Sequence, residues 1–402
     1  MHRHGVTVAG PAATIRVVPP DIQSVRAQLP SLAPDAYLNT GGCGPLAAPA
    51  ARALAAAAEE ALRRPRGSGP GFERTAGSAQ LLREAVGRTI GAPGDEIALT
   101  ANTTGGVNVA AWGIDWRPGD EIVVPALEHP GMSVPLAVIA RRHGVVIRLI
   151  DPEGDAGDLE EAVAAVSGPR TRLVALSHVS WATGAVLDVA GAARAARAVG
   201  ALVLVDGAQS VGAIPVDVGA MDIDTYAFPA HKWLLGPEGL GALWVSPRAL
   251  DRIDLTASGY ESGTDHALGG GVVVHPGARR HEVSTLPAAL LPAWRASIEW
   301  LEELGWGWVH GGVATAQAAA RAGLAGVPGV RVLTPAGPQA GLVTFAVPGV
   351  EPERACARLA GRGVVARWLM RPPAMRASLG FFTDESDVTR LVEGVTAIGG
   401  DC

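Results

Sequence analysis

One segment indicates the fold of this chain more clearly than any other: Ala201-Leu-Val-Leu-Val-Asp-Gly-Ala-Gln-Ser210. Its first five residues are all apolar, so a strand formed by them presents apolar side chains on both faces. The run Leu173-Val-Ala-Leu-Ser177 has the same character. Strands of this kind are typical of parallel sheets that are covered by helices on each side. Both segments therefore predict an α/β fold with a buried sheet.

The sequence around these two runs alternates between short β-branched segments and helical patterns. It predicts strands over residues 97–100, 121–124, 145–150, 172–176 and 201–205, and helices over residues 79–89, from 105 onwards, and over 132–143, 158–166 and 189–199. Two further strands are predicted at 225–228 and 241–245. Because the loop between them is too short for a helical crossover, one of the two is expected to run antiparallel. We therefore predict a three-layer domain with a mostly parallel, seven-stranded sheet.

The pattern changes at both ends of this region and predicts a second, smaller domain. Residues 1–24, with Pro19 and Pro20, are expected to form a loose N-terminal arm. Residues 25–75 are expected to contribute to the small domain, 76–290 to form the large domain, and 291–402 to form a small C-terminal α+β domain.

The composition excludes several classes of protein. A formal net charge of −6 without a basic cluster argues against a nucleic-acid binder. Charged residues or histidine interrupt each apolar stretch well short of the roughly 18 residues that a membrane span needs. Three cysteines, Cys43, Cys356 and Cys402, form no C-x-x-C pair, which favours a reducing cytoplasm over disulfides or a zinc site. We expect a cytoplasmic protein without nucleic-acid, membrane or metal partners.

Side chains that could bind a ligand or take part in catalysis follow the predicted parallel strands, at the edge where ligands bind in open α/β sheets. Thr100-Ala-Asn-Thr-Thr-Gly-Gly106 opens a helix and suits an anion, although ordinary capping by Thr104 also explains it. His129 could stack on an aromatic ligand or serve as an acid or base, or simply be a solvated loop residue. Asp206 ends an apolar strand, where a carboxylate needs a cation or strong donors, unless it only caps the next turn.

Lys232 is the only lysine among 33 lysine and arginine residues. Arginine serves for surface charge but cannot become a neutral amine nucleophile, so chemistry that needs a free amine would retain one lysine. The alternative is a surface lysine that remains by chance. A lysine beside an anion-binding helix terminus and a buried Asp206 suggests a Schiff base with pyridoxal 5′-phosphate, whose ring nitrogen would pair with the aspartate.

Four motifs together resemble the class V aminotransferase family of fold type I pyridoxal-phosphate enzymes: EHPG (128–131), SHVSWATG (177–184), DGAQS (206–210) and HKW followed by GPEGLGALWV. The family includes cysteine desulfurases, C–S lyases and isopenicillin N epimerase. The resemblance extends from Tyr37 to the segment after Arg376. It implies the fold type I architecture and pyridoxal 5′-phosphate as cofactor.

The resemblance also implies roles for individual residues. It makes Lys232, His129 and Asp206 catalytic, with the amine of Lys232 bound to the cofactor and His129 stacked on the cofactor ring. The other implied cofactor contacts are Thr103, Thr104, Gly105, Gln209 and His231. The pair Ser284-Thr285 matches a segment that reaches the cofactor phosphate of a neighbouring subunit, which implies a homodimer with its active site at the interface. Arg376 matches the arginine that binds the substrate α-carboxylate, and Trp181 and Asn39 are expected near the substrate.

Departures from the family pattern narrow the expected reaction. Trp181 stands where desulfurases carry an asparagine, and Pro229 where many relatives carry a phosphate-binding serine. The run at 364–376 lacks the persulfide-forming cysteine of desulfurases, which leaves Cys43 as the one thiol expected near the site. We therefore predict a C–S β-lyase acting on an S-substituted cysteine, with Trp181, Trp368 and Phe72 as a possible aromatic pocket. The alternatives are an epimerase, aminotransferase or decarboxylase of specialised metabolism, or a non-catalytic scaffold.

Overall fold

The computed structural model of the protein describes residues 20–151 and 159–400, which form eleven α-helices and fifteen β-strands. The helices are α1 Ile22–Arg26, α2 Ala48–Arg63, α3 Gly69–Thr89, α4 Thr103–Trp112, α5 Pro130–His143, α6 Leu159–Val166, α7 Val189–Ala198, α8 Leu290–Leu304, α9 Trp306–Ala325, α10 Pro352–Ala360 and α11 Glu385–Gly400. The strands are β1 Ala36–Tyr37, β2 Ile97–Thr100, β3 Glu121–Pro125, β4 Val146–Ile150, β5 Thr171–Ser177, β6 Leu202–Asp206, β7 Thr225–Pro229, β8 Gly241–Val245, β9 Gly263–Ala267, β10 Gly271–Val274, β11 Arg331–Val332, β12 Leu342–Ala346, β13 Val364–Val365, β14 Arg367–Leu369 and β15 Ala374–Ser378.

Strands β2 to β8 form a seven-stranded sheet in the order β2-β8-β7-β6-β5-β3-β4. Strand β8 is antiparallel to both of its neighbours, whereas the pairs among β3 to β7 are parallel. The predicted fold class is confirmed, and of the two strands of which one was expected to run antiparallel, β8 is the one that does. The parallel strands end at one edge of the sheet, so Ser177 on β5 is paired directly with Asp206 on β6.

Alternate residues of the central strands belong to two separate apolar cores. Val203 and Val205 of β6 pack in the core that includes helices α3, α7 and α8. Leu202 and Leu204 of the same strand pack in the core that includes α4 and α5. Because both faces of β6 are buried, its residues 202–205 are all apolar, which explains the sequence pattern that predicted the strand.

A second, four-stranded antiparallel sheet has the order β11-β12-β15-β14. Helices α9, α10 and α11 supply apolar side chains to a third core on this sheet. The N-terminal strand β1 pairs in parallel with β13, which brings residues 36–37 to the C-terminal part of the chain. The domain boundaries themselves remain a prediction.

Several sequence expectations need correction. Helix α1 begins at Ile22, inside the range assigned to a loose arm, and Asp21 caps it. Residues 1–19, the first residue of the helix predicted at 158–166, and Cys402 lie outside the described residues. The hairpin β9–β10 and the strands β14 and β15 were not predicted. Within residues 20–151 and 159–400, no helix combines the length and hydropathy that crossing a membrane requires.

Candidate active site

A cavity of about 230 Å³ opens at the carboxyl edge of the seven-stranded sheet, where it meets β14 and β15. It contains most of the residues that the sequence marked. Its walls are Gly41, Gly42, Asn102, Thr103, Thr104, His129, Trp181, Asp206, Ala208, Gln209, Pro229, His231, Lys232, Arg367 and Arg376. A larger groove of about 1090 Å³ between α9 and α11 contains none of the predicted site residues.

Lys232 lies in the turn after β7 and is partly open to the cavity, although protein atoms surround its amine. Burial lowers the pKa of the amine to about 8; the nearby Asp206 opposes this shift, and Arg376 and Arg367 reinforce it. No carboxylate of the described chain lies within 4 Å of the amine. At pH 7 about a tenth of the Lys232 amine is therefore neutral and nucleophilic, against fewer than about one in a thousand at the ordinary pKa of 10.5.

Asp206 ends β6 and is 5% exposed. Its carboxylate accepts a hydrogen bond from the backbone N–H of Ala208 at 2.8 Å. Burial raises its pKa, and the positive charge of Lys232 counteracts the rise. In the part of the chain that the structure describes, no cation pairs with this carboxylate, so it is available to a positively charged ligand group.

Gln209 is held by two neighbours, and the second N–H of its amide has no hydrogen-bond acceptor among the described residues. Its Nε2 donates to the carbonyl of Gly41 at 2.9 Å, and its Oε1 accepts from the indole Nε1 of Trp233 at 2.9 Å. A Cβ atom at Gly41 would lie 2.8 Å from both Gln209 Oε1 and Ser378 Oγ. The glycine therefore permits the N-terminal segment to lie against the cavity wall.

His129 caps the N-terminus of α5, because its Nδ1 accepts the backbone N–H of Gly131 at 3.0 Å. This bond assigns the proton of the neutral ring to Nε2. Burial, reinforced by Lys232, Arg367 and Arg376, lowers the pKa of His129 to about 4. The imidazole is therefore neutral at physiological pH.

Glu128, which the sequence did not mark, holds the main chain at His129. Its carboxylate accepts from Ser177 N at 2.8 Å, Ser177 Oγ at 2.7 Å and His129 N at 3.2 Å. Burial raises its pKa to about 7, while the Ser177 hydrogen bonds act in the opposite direction. The order Glu-His before a helix was a visible signal, but the partner Ser177 is 49 residues away in sequence.

The N-terminus of helix α4 forms another wall of the cavity. Its N-cap is Asn102, whose Oδ1 accepts from Gly105 N at 2.9 Å, so capping by Thr104 was the wrong alternative. Thr103 and Thr104 line the cavity, whereas Gly105 does not. His231 contributes a buried Nδ1 without a hydrogen-bond partner among the described residues. This wall offers donors to an anion such as a phosphate.

Arg376 lies on β15 and is 2% exposed. Its Nη1 donates to the carbonyl of Trp181 at 2.6 Å, and its Nε has no partner within the described chain. Burial, together with Arg367, lowers its pKa to about 9. No acidic side chain in residues 20–151 or 159–400 pairs with it, so the guanidinium is available to a ligand carboxylate.

Arg367 is a cavity residue that sequence reasoning missed. It is the register partner of Arg376 across the pair β14–β15. Like charges that face each other across strands are destabilising unless an anion lies near them. The sequence contained both arginines, but only the strand pairing makes them neighbours.

Other predicted residues lie away from the cavity. Asn39 does not line it; its side chain packs against Gly42, and its Oδ1 is buried without a partner in the described structure. Phe72 is 64% exposed, and Trp368 is also outside the cavity walls, so neither forms the expected aromatic pocket. Thr285 is exposed, 3.4 Å from the hydroxyl of Tyr260. Its expected contact with a neighbouring subunit stays a prediction.

The cavity has the features that pyridoxal 5′-phosphate requires. Lys232 supplies a poorly solvated amine, Asp206 a buried carboxylate that pairs with no cation of the described residues, and the α4 wall with His231 an anion site. These groups converge on a space bounded by the His129 ring. The donor set therefore fits an aromatic aldehyde that carries a ring nitrogen and a phosphate.

Comparison with known proteins agrees with this geometry. A probable cysteine desulfurase from Methanothermobacter thermautotrophicus is 35% identical over 288 residues, 70% of each chain. Isopenicillin N epimerase from Streptomyces clavuligerus is 32% identical over 338 residues, 79% of this chain and 84% of that one. The cystine C–S lyase C-DES, solved with its product cysteine persulfide, superimposes with a TM-score of 0.88 at 32% identity, covering 92% of this chain and 99% of that chain. A C-DES mutant with glycine covalently linked to its PLP cofactor gives the same score.

The family model named aminotransferase class-V matches residues 72–391, which include the strands and helices of the large sheet and most of the cavity. The cofactor of this family is pyridoxal phosphate, and its members act on amino-acid substrates. The chain belongs to the class V aminotransferase family of pyridoxal-phosphate-dependent enzymes.

Proposed function

We propose that this enzyme is a C–S β-lyase that cleaves an S-substituted cysteine to a thiol or persulfide, pyruvate and ammonia, with consumption of one water. The observation that supports this most is the combination of a cofactor-type cavity with two arginines and without a lining cysteine. The likeness to C-DES, which is described as a cystine C–S lyase, supports the same reaction class.

Each residue of the cavity would have a distinct role in such a reaction. Arg376, buried and without an acidic partner among the described residues, would bind the substrate α-carboxylate in a bidentate fork. When bound, the cofactor supplies an electron sink for negative charge at the substrate Cα. Asp206 would keep the ring nitrogen protonated, and Thr103, Thr104 and His231 would hold the phosphate.

Lys232 would hold the cofactor and then transfer the Cα proton. Its lowered pKa suits a base that must be neutral at the start and charged after proton transfer. The neutral His129 ring would cover one face of the cofactor and exclude water there. The electron pair left at Cα would then form the Cα–Cβ double bond as the Cβ–S bond breaks, and the sulfur would leave as a thiolate or persulfide anion.

Arg367 favours a substrate with a second anionic group. It lies beside Arg376 in register and is the more exposed of the two. One arginine suffices for an α-carboxylate, so the second would bind a carboxylate on the sulfur-bearing arm. Cystine, the disulfide of two cysteines, carries a carboxylate on each half and satisfies both.

A persulfide-forming desulfurase is less compatible with Cys43 and Cys356, the two cysteines among the described residues. Cys43 is half-buried outside the cavity walls, with its Sγ 3.9 Å from Glu238 Oε1, and burial raises its pKa. Cys356 is buried on helix α10, where its pKa rises to about 12. A raised pKa leaves less of either thiol in the thiolate form that sulfur transfer needs.

We also propose a homodimer. The hairpin β9–β10 exposes Leu268, Val272 and Val273, and Tyr260 and Thr285 lie exposed near it in sequence. A second copy that covered this surface could bring Thr285 to the neighbouring cofactor phosphate. Sedimentation of the holoenzyme should give a mass of about twice 41.0 kDa. A monomer at the concentration of full activity would contradict the proposal.

Product analysis tests the reaction. The holoenzyme is incubated separately with cystine, S-methylcysteine, free cysteine and alanine, and Lys232→Ala serves as the control. Pyruvate together with a thiol or persulfide from cystine or S-methylcysteine would support the lyase. Exchange of the α-proton without elimination would instead indicate an epimerase, and dependence on an α-keto acid an aminotransferase.

Cys43→Ala should leave pyruvate formation unchanged. Protein that takes up no cofactor would be a scaffold.

A further inference from the structure

Trp181 makes three contacts that join separate parts of the cavity. Its indole Nε1 donates to the carbonyl of Leu127 at 3.0 Å. Its ring meets the imidazole of His129 edge to face, with centroids 5.2 Å apart and planes at 81°. Its own carbonyl accepts from Arg376 Nη1 at 2.6 Å.

The loop that carries Trp181 also joins the two sheets. The carbonyl of Ala182 accepts from the hydroxyl of Thr344 on β12, and Ala185 forms an isolated β-bridge with Gln339. Strand β12 is paired with β15, which bears Arg376. The loop is therefore held on one side by the segment before His129 and on the other by the sheet that positions the arginine.

Through these contacts, the side chain of Trp181 restricts the orientation of the Arg376 guanidinium. The carbonyl that Arg376 uses belongs to the backbone and is present whatever the side chain at 181 is. Its direction, however, depends on how the loop is oriented, and the indole–Leu127 hydrogen bond fixes that orientation at the cavity. Arg376 Nη1 has no other hydrogen-bond acceptor in the described part of the chain.

We propose that Trp181 is a positioning residue that fixes the guanidinium of Arg376 relative to the imidazole of His129, and thereby sets the alignment of an amino-acid substrate over the cofactor. The side chain acts through Arg376 and does not itself bind the carboxylate. This inference rests on the proposed role of Arg376.

A double-mutant cycle on glycine binding tests the coupling. Glycine has no leaving group, so its dissociation constant can be measured by titrating the visible absorbance of the holoenzyme. The variants are Trp181→Phe, which keeps an aromatic ring beside His129 but removes the N–H donor, Arg376→Ala, and the double variant. Trp308→Phe, on helix α9 away from the cavity, is the matched control. The cofactor dissociation constant of each apo-protein and its thermal midpoint are measured in parallel.

We expect Trp181→Phe to raise the glycine dissociation constant about fivefold, the effect of one ordinary hydrogen bond. In the Arg376→Ala background, the same change should alter it less than about twofold, because the coupled partner is already absent. The cofactor dissociation constant and the thermal midpoint should stay near those of Trp308→Phe.

Three results would overturn the inference in distinguishable ways. If Arg376→Ala leaves glycine binding unchanged, the proposed role of Arg376 fails and the inference fails with it. If Arg376→Ala weakens binding and Trp181→Phe does not, the inference alone fails. If the effects of the two substitutions on binding multiply, Trp181 acts independently of the arginine, and the positioning role is refuted.

Discussion

Helix α3 carries two arginine–glutamate pairs that differ mainly in burial. Arg83 binds Glu282 through Nε at 2.9 Å and Nη2 at 2.7 Å, and the two side chains are 4% and 0% exposed. Arg88 binds Glu302 through the same two atoms at 3.0 Å each, with exposures of 52% and 27%. Replacing each arginine by methionine keeps an unbranched stem and removes the charge, so the comparison isolates the environment of the pair.

The expected costs follow from what each substitution leaves behind. Arg83→Met leaves the Glu282 carboxylate buried with one donor from another residue, Leu99 N at 2.8 Å. Breaking a buried pair in this way typically costs about 3–5 kcal/mol. Arg88→Met leaves Glu302 at the surface, where water replaces the arginine, and the cost is about 0.2–1 kcal/mol. Urea unfolding of the apo-proteins measures both, from the shift in midpoint at constant slope.

A second substitution tests the cause of the loss. Adding Glu282→Gln to Arg83→Met removes the uncompensated charge while it keeps an acceptor for Leu99 N, so most of the lost stability should return. Equal costs below 1 kcal/mol for both arginines would refute the reasoning. So would a double variant no more stable than Arg83→Met, because the loss would then come from packing and not from charge.

Three further predictions concern the cavity. The raised pKa of Glu128 means that the folded state holds a proton more tightly than the unfolded state, so the stability contributed by this group is present below pH 4.5 and is lost as the pH rises to about 7. Glu128→Gln should therefore abolish roughly 3 kcal/mol of the pH dependence of the unfolding free energy, measured by urea unfolding. An unchanged pH profile would contradict this prediction. The rate at which apo-protein takes up pyridoxal phosphate covalently should rise with pH around a midpoint near 8, the pKa of Lys232, and a midpoint near 10.5 would exclude the lowered pKa. Gly41→Ala should weaken glycine binding severalfold, since the new Cβ would lie 2.8 Å from Gln209 Oε1 and Ser378 Oγ and 3.3 Å from Arg376 Nη2, so these side chains would have to move. Gly311→Ala, with open space around it, should have no effect.

The large sheet could be predicted because its strands are buried on both faces. Residues 201–205 could form little else than a central strand, and the observed strand β6 is shifted by one residue. The hairpin β9–β10 carries no such signal, because its residues are exposed and rich in glycine. Strands β14 and β15 are three and five residues long and flank two prolines, so the pairing of β15 with β12 and of β14 with β15 depends on tertiary contacts that a local pattern does not contain.

The residues of the candidate site also fall into two groups: those that the sequence could predict and those whose position depends on tertiary contacts. Lys232, Asp206 and His129 directly follow strands or lie in the turns after them, so sequence order and the direction of the sheet brought them together. Arg367 gains its position from its partner on strand β15, and Ser177 from Glu128 in the loop after β3. Asn39 does not line the cavity, because the neighbouring Gly41 and Gly42, and not its own side chain, face it.

Because the chain has a single lysine, digestion by a lysine-specific protease can measure how much of the active site is occupied by cofactor. A lysine-specific endopeptidase acting on the denatured chain has one cleavage site, after residue 232, and should release the fragments 1–232 and 233–402. Cofactor fixed to the amine by reduction would block that cut, because the enzyme requires a free ε-ammonium group. The fraction of chain that stays intact on a gel would then equal the fraction of active sites that held cofactor, without any assay of turnover.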